Sequence, residues 1–335
     1  MVRAVVALGV IGLAAAPARA NDATDDYFTR LQAAVQQSLD QVLAARPPVL
    51  VPPVPVKLTW KAVRLGSLDL NAPLVALGAS DLDHDGKAEL YAVTTRDVVA
   101  ISVAGKKVSE LGRAGFAGTP AVPASRDPVG TIVFENRELV ASTSAWDNEL
   151  RLRWQNGTLS GSAPGKSANG VVVCPGERLV RMPGRNHFGD LAQPIYAVRC
   201  AELVDPMGAP IRVRAALIGS KLEINVERCG QGTAGKCLPV ARYDLKDYGS
   251  AFEVADVDRD GKPEIIVSGA GAPGDPDVIK VFTLGGNEKK GLYRKTFNGG
   301  VAGIAVADGD GDGVPEVIAA VRLAGATRVD LWRLD

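Results

Sequence analysis

Two histidines, four cysteines and an aromatic content of 5% are all that this 335-residue chain holds of the groups that carry most zinc and nucleophilic chemistry. No C-x-x-C pair is present, so His84 and His187 find no partners with zinc-ligand spacing. No G-x-S-x-G elbow offers a nucleophile, and a lone His187 without a constellation reads as a surface or structural residue. The stretch Gly161–Ser167 is one residue short of a phosphate-binding loop. Gly269–Gly274 fits G-x-G-x-x-G by letter, but Pro273, Pro276 and the β-type run Val278–Phe282 leave no helix to meet a phosphate. Lys and Arg number 38 against 38 Asp and Glu, with no basic run interleaved with aromatics, which excludes a nucleic-acid interface. Beyond the 13 apolar residues from Ala4 to Ala16, too few to span a bilayer, there is no long apolar run. The triplet Asn156-Gly-Thr158 carries no weight without a known host.

What is abundant is one acidic signature in three copies. They are Asp81-Leu-Asp83-His-Asp85-Gly-Lys87-Ala-Glu89, Asp256-Val-Asp258-Arg-Asp260-Gly-Lys262-Pro-Glu264 and Asp308-Gly-Asp310-Gly-Asp312-Gly-Val314-Pro-Glu316. Carboxylates stand at positions 1, 3, 5 and 9 and glycine at 6. A hard cation such as Ca²⁺ takes about 6–8 oxygens. Alternate residues of a tight loop turn three carboxylates inward, glycine permits the reversal, and position 7 offers its carbonyl, so Lys87, Lys262 and Val314 are all acceptable there. An EF-hand needs its closing Glu at position 12 between helices. Here it comes at 9 and opens an apolar, β-branched run: 90–93, 265–267 and 317–321. With the apolar flanks 75–80, 252–255 and 304–307, the unit is strand, calcium loop, strand.

The three copies resemble the FG-GAP or VCBS-type repeats of integrin-like β-propellers, whose Asp-x-Asp-x-Asp-Gly-x-x-(Asp/Glu) loops bind Ca²⁺ between the outer strands of a blade. Glu replaces the commoner Asp at position 9, and of the FG-GAP tag only Phe252 and Gly299-Gly300 remain. The resemblance implies an all-β propeller with about three structural calcium ions and a role in interaction or adhesion.

Composition agrees: 37 Gly and 21 Pro break the chain into short strands. The second and third copies start 52 residues apart, about one four-stranded blade. Between the first two, Ala124–Phe134 with Asp127 and Asn186–Val198 with Asp190 read as degenerate copies. This predicts five to six blades over 57–335, the sixth drawn from 199–250. The alternating segments Lys57–Leu65 and Arg328–Leu334 are expected to pair and close the ring.

Residues 1–20 read as a signal peptide: Arg3, the apolar stretch, then Ala18-Arg-Ala20 as cleavage site. Export to a periplasm or the cell exterior follows. In that compartment four cysteines form disulfides, and Cys229 with Cys237 flank a short flexible loop, leaving Cys174 with Cys200. Over 21–46, Phe28, Leu31, Val35, Leu39 and Val42 form one helical stripe, and 47–56 is a Pro-rich linker. That helix either packs on the propeller or serves docking, and the sequence leaves the oligomeric state open.

The expected function is therefore non-enzymatic binding of a protein or glycan. The alternative is a hydrolase or lyase acting on polysaccharide from a propeller scaffold, for which no acid or His cluster outside the loops is visible. Trp146 and Trp154, flanking Asp147-Asn-Glu149, are the better of four tryptophans for stacking on sugars, although packing is the commoner fate of the residue.

Overall fold

Short β-branched runs separated by Gly, Asp and Pro pair first with their chain neighbours, because a tight turn delivers those first. The computed structural model describes Leu31, Ala34, Val35 and residues 56–335, without positions 84, 105–106, 123, 136, 156, 162–169, 183, 230–236, 272–273, 287–290, 310–313 and 324–326. The chain divides into two units, Met1–Val51 and Pro52–Asp335. In the first, the three described residues are helical and exposed. The expected signal peptide and the rest of helix 21–46 lie outside the described residues, as does the linker up to residue 55.

The second unit begins with β1 (Ala62–Asp69). An antiparallel meander follows: β2 (Leu74–Ser80), β3 (Glu89–Thr94), β4 (Asp97–Ala104) and β5 (Lys107–Gly115). The plan recurs in β6 (Gly130–Glu135), β7 (Glu138–Thr143), β8 (Leu150–Gln155) and β9 (Thr158–Gly161). A two-stranded hairpin comes next, β10 (Val171–Cys174) with β11 (Glu177–Leu179). Two more meanders are β12 (Ile195–Val204) to β15 through β13 (Pro210–Ile218), β14 (Lys221–Cys229) and β15 (Cys237–Lys246), then β16 (Phe252–Ala255), β17 (Glu264–Ser268), β18 (Asp277–Thr283) and β19 (Tyr293–Phe297). The last sheet takes β20 (Val301–Ala307), β21 (Glu316–Arg322) and β22 (Arg328–Leu334), with β1 completing it beside β22. The first strands touch in ring order, β2 to β6, β10, β12, β16, β20 and back to β2. Five four-stranded antiparallel sheets in a ring make a five-bladed β-propeller, with β10 inserted between β6 and β12.

Three expectations change in detail. The segment 199–250 is no extra blade: with 195–198 it is the β12–β15 sheet, and the reduced sixth element is the 171–179 hairpin. Asp127 and Asp190 precede the inner strands β6 and β12, between blades, so neither occupies the position of a degenerate calcium loop. In the β6–β9 blade Glu135, the last residue of β6, is directly opposed to Glu138, the first of β7, so the chain has no room there for a nine-residue acidic loop.

Ring closure is as expected at the C-terminal end, while the N-terminal strand spans 62–69 rather than 57–65. A register shift between Arg64 and Gly66 lets β1 follow β22 as far as Asp69↔Arg328. Arg64 donates from Nε and Nη2 to both oxygens of Asp330, at 3.0 and 2.8 Å. Leu58 and Trp60 pack instead against the cluster beneath, Trp60 edge-on to Tyr293.

The apolar core is a circle of seams rather than one centre. Leu77, Leu90 and Ile101 meet Ile318 and Leu331 across one seam; Ile224 and Leu222 meet Phe252 and Ile265 across another. Each such side chain contributes about 1.5–3 kcal/mol by leaving water. The seam where β6 and β7 meet the hairpin is thinner, a cluster of Val133, Val140 and Val172. Polar ties and a crosslink reinforce the hairpin: Arg178 to Glu149 at 3.1 Å, Arg214 to Glu177 at 2.8 Å, and the disulfide Cys174–Cys200 to β12. A two-stranded hairpin has too little apolar area to hold alone, which is what a crosslink offsets. The second disulfide, Cys229–Cys237, joins directly opposed residues of β14 and β15. With no free cysteine, the zinc reading fails, and the crosslinks mark a protein of an oxidising, non-cytosolic compartment. Among the described residues no helix is long and apolar enough to cross a membrane.

Inner strands approach closely only where side chains are missing. A Cβ at Gly303 of β20 would lie 2.7 Å from the Cβ of Leu77 on β2, an atom fixed to the backbone. Gly303→Ala is therefore expected to destabilise the fold by about 1–3 kcal/mol through overpacking, read from the urea midpoint at constant slope. An unchanged midpoint would mean the ring opens at no cost.

Candidate metal centre and axial cavity

Each acidic loop joins the innermost strand of a blade to the second strand: β2 to β3, β16 to β17 and β20 to β21. This differs from the expected placement between outer strands, and it follows from topology, since the closing Glu is the first residue of the second strand in all three. Successive blades repeat the same up-and-down path, so these loops emerge on one face of the ring. Their blades are adjacent in it, and Ala88 N–H donates to the carbonyl of Asp308, linking first loop to third.

In the first loop, single carboxylate oxygens of Asp81, Asp83, Asp85 and Glu89 all lie within 4.8 Å of one another. Backbone N–H groups pull the loop around them: Asp85 N–H donates to Asp81 and Asp83, each at 3.1 Å, and Gly86 N–H to Asp81 at 3.0 Å. Gly86 has φ +89°, in the left-handed region where a side chain is strained. The second loop copies this with Asp256, Asp258 and Asp260 within the same 4.8 Å, Gly261 at φ +80° donating to Asp256 at 3.0 Å, and Lys262 N–H donating to Asp260 at 2.8 Å. Glu264 stands outside that set of three. It is fully buried, and its Oε2 accepts from Val257 N–H at 3.1 Å. In the third loop Glu316 repeats that bond, accepting from Gly309 N–H at 2.8 Å, while Asp310 and Asp312 lie outside the described residues. Asp308 and Val314 are half-buried beside it.

The electrostatics are those of carboxylates that oppose one another. Burial, reinforced by the charge of Asp83, pushes the Glu89 carboxyl up to about 7; burial, with Asp258 and Asp256 beside it, pushes Glu264 up to about 8. Asp256 and Asp258 are raised for the same reason, burial first. Two oxygens, Asp256 Oδ1 and Glu264 Oε1, are buried without a hydrogen-bond partner among the described residues. An unpartnered buried acceptor costs about 1–3 kcal/mol, and a hard cation relieves that cost. An all-oxygen donor set suits calcium and not zinc.

Two features were not legible as site residues. Tyr91 donates to Glu89 Oε2 at 3.2 Å and accepts from Trp154 Nε1 at 2.6 Å, so a neighbouring blade orients this carboxylate. The turn joining β12 to β13 carries Asp205, which accepts from Met207 and Ala209 N–H and pairs with Arg228 at 2.8 Å. An arginine there supplies a positive charge beside the carboxylate. The Asp205–Gly208 spacing after an apolar run was its available signal.

Trp146 stacks on Phe116 and donates to the Thr95 carbonyl, and Trp154 is held by Tyr91, so neither is a free platform for sugar. His187 is buried, with Nδ1 at 3.2 Å from the Phe188 carbonyl, in a structural setting. Along the ring axis, buried Arg199 of β12 and half-buried Glu253 of β16 form a pair at 3.3 Å, and Arg199 also donates to the carbonyls of Val198 and Leu77. The Gly269–Gly271 stretch is the start of the β17–β18 connection.

No family model matches the sequence, and no curated protein does. Among solved structures, the chain is similar to the PQQ-bound form of aldose sugar dehydrogenase from Streptomyces coelicolor, with 12% identity, 84% of this chain and 99% of that chain covered, and a TM-score of 0.42. At that level no residue role passes from one to the other.

Proposed function

We propose that this chain is an exported, calcium-stiffened β-propeller that recognises a protein or glycan in the cell envelope or outside the cell and performs no catalysis itself. The observation that supports the metal is the pair of buried, unpartnered oxygens on Asp256 and Glu264, inside a motif repeated on three adjacent blades. Asp81, Asp83, Asp85 and Glu89 would hold one ion, and Asp256, Asp258, Asp260 and Glu264 a second. Asp308, Asp310, Asp312 and Glu316 would hold a third, with the carbonyls of Lys87, Lys262 and Val314 completing the shells. When bound, the ion supplies the positive charge that these carboxylates lack. Locking three inner loops of one face gives a rigid surface, and rigidity lowers the ordering cost of binding. Export rests on the N-terminal leader pattern together with the two disulfides.

The test is binding of the immobilised mature protein to arrays of envelope glycans and secreted proteins, in millimolar calcium and in EGTA. Specific binding that EGTA and Asp258→Ala both weaken supports the reading. Cleavage of a bound polysaccharide, seen as new reducing ends, would replace it with the enzyme alternative.

The Tyr91 bond gives a local prediction. Tyr91→Phe removes the O–H that orients Glu89, and outer-shell losses of this kind cost about tenfold or more in metal affinity. Calcium titration by calorimetry should show one of the sites weakened and the others unchanged. Uniform weakening of all of them would instead indicate a global loss of packing.

A further inference from the structure

On the face opposite the acidic loops, the segments entering the inner strands surround an axial cavity of about 580 Å³, within the range of about 300–1,000 Å³ for small-ligand sites. Arg322, the last residue of β21, lines both its mouth and the narrow space beneath it. The Arg322 Nε is buried and meets no hydrogen-bond acceptor among the described residues, and no carboxylate there lies within ion-pair distance of the guanidinium. Asp127 is the acid whose charge acts on it, but its side chain is 79% exposed at the rim, beside Arg126 at 3.9 Å. A guanidinium has five donors in a planar fork that matches a carboxylate, and leaving one buried without an acceptor is costly. Around it the wall carries Tyr196, Tyr248, Ser250, Ser268 and Asn186. The Tyr248 ring already carries Lys280 over it and Phe282 beside it, and Tyr196 meets His187 edge-on, so the wall contributes hydroxyls and an amide, which suit a pyranose ring whose hydroxyls need both donors and acceptors.

We propose that this axial cavity binds an acidic sugar, with the sugar carboxylate on Arg322 and its hydroxyls on the tyrosine, serine and asparagine groups of the wall. The proposal deepens the recognition role above and rests on it, placing the glycan on the axis, opposite the acidic loops.

The matched probes are cellobiouronic acid and cellobiose, which differ by one carboxylate, titrated calorimetrically into the mature protein in calcium. The acid should bind at least tenfold more tightly, and added sodium chloride should erode that margin. Arg322→Gln should abolish the preference, while Arg322→Lys, which keeps the charge but not the fork, should retain part of it. Equal binding of both sugars by the native protein overturns the proposal, as does a preference that survives in Arg322→Gln. Sodium phosphate binding as tightly as the uronate overturns the sugar assignment. Should Arg322→Gln not fold, the native protein with the paired sugars and Arg322→Lys still decide the matter. A calcium-dependent melting shift that persists without any uronate preference would remove this site and leave the calcium reading standing.

Discussion

Adding millimolar calcium to the metal-free protein at pH 8 is expected to raise its melting temperature by about 15 °C or more. A site filled at 100 times its dissociation constant stabilises by about 2.7 kcal/mol, and each kcal/mol moves the midpoint of a domain of roughly this size by about 2–4 °C. Three such sites justify the estimate. The metal-free baseline should itself depend on pH. Glu89 and Glu264 hold protons in the folded chain up to about 7 and about 8, whereas in the unfolded chain they release them near the ordinary 4.5. Between pH 4.5 and 8 the folded state thus binds more protons than the unfolded one, so stability falls as pH rises through that window. Below 4.5 the term is flat, and above 8 the full penalty is present. Calcium competes with those protons, so its stabilisation should be larger at pH 8 than at pH 6. Asp83→Ala with Asp258→Ala should remove most of the shift. A midpoint that ignores calcium would leave the loops as solvated acidic turns, and a metal-free midpoint that climbed with pH would contradict the burial of the two glutamates.

The second large effect lies on the axis. Arg199→Met leaves the half-buried Glu253 without its partner, and since breaking a fully buried pair from one side costs about 3–5 kcal/mol, a loss of about 3 kcal/mol is expected here. Burial already raises the Glu253 carboxyl against the pull of Arg199, so loss of the arginine should drive it to the protonated form. The double change Arg199→Met with Glu253→Gln should be less destabilising than Arg199→Met alone, because no charge is then stranded. Urea unfolding of the four proteins in calcium reads this as a double-mutant cycle. Additive losses would mean that the pair does not act as a pair.

Reading and structure part company at identifiable places. The acidic loops and their flanking strands were legible because the signal is local: carboxylates at alternate positions, glycine where φ must be positive, and a β-branched run directly after. Strand β22 was legible in full, and β1 only approximately, since its register depends on Gly66 meeting Leu331 and Arg64 meeting Asp330 more than 260 residues away. The reduced hairpin was not legible, because 171–179 looks like any short strand pair until its neighbours are seen. Asp127 and Asp190 were misplaced for a related reason: an acid before a strand and an acid after it have the same local composition.

The sequence by itself determined the all-β class, the repeat, the three acidic loops with their closing glutamates, the pairing of the cysteines and the partner strand at the C-terminus. All of these are set by spacing within a few residues or by the chemistry of a side chain type. Only the tertiary structure decided that the loops sit on adjacent blades, that Trp154 of the next blade holds the Tyr91 hydroxyl that donates to Glu89, that Arg228 pairs with Asp205, and that Arg322 faces an axial cavity. Those relations join residues tens to hundreds of positions apart, and they exist only because closing the ring brings the inner strands around one axis.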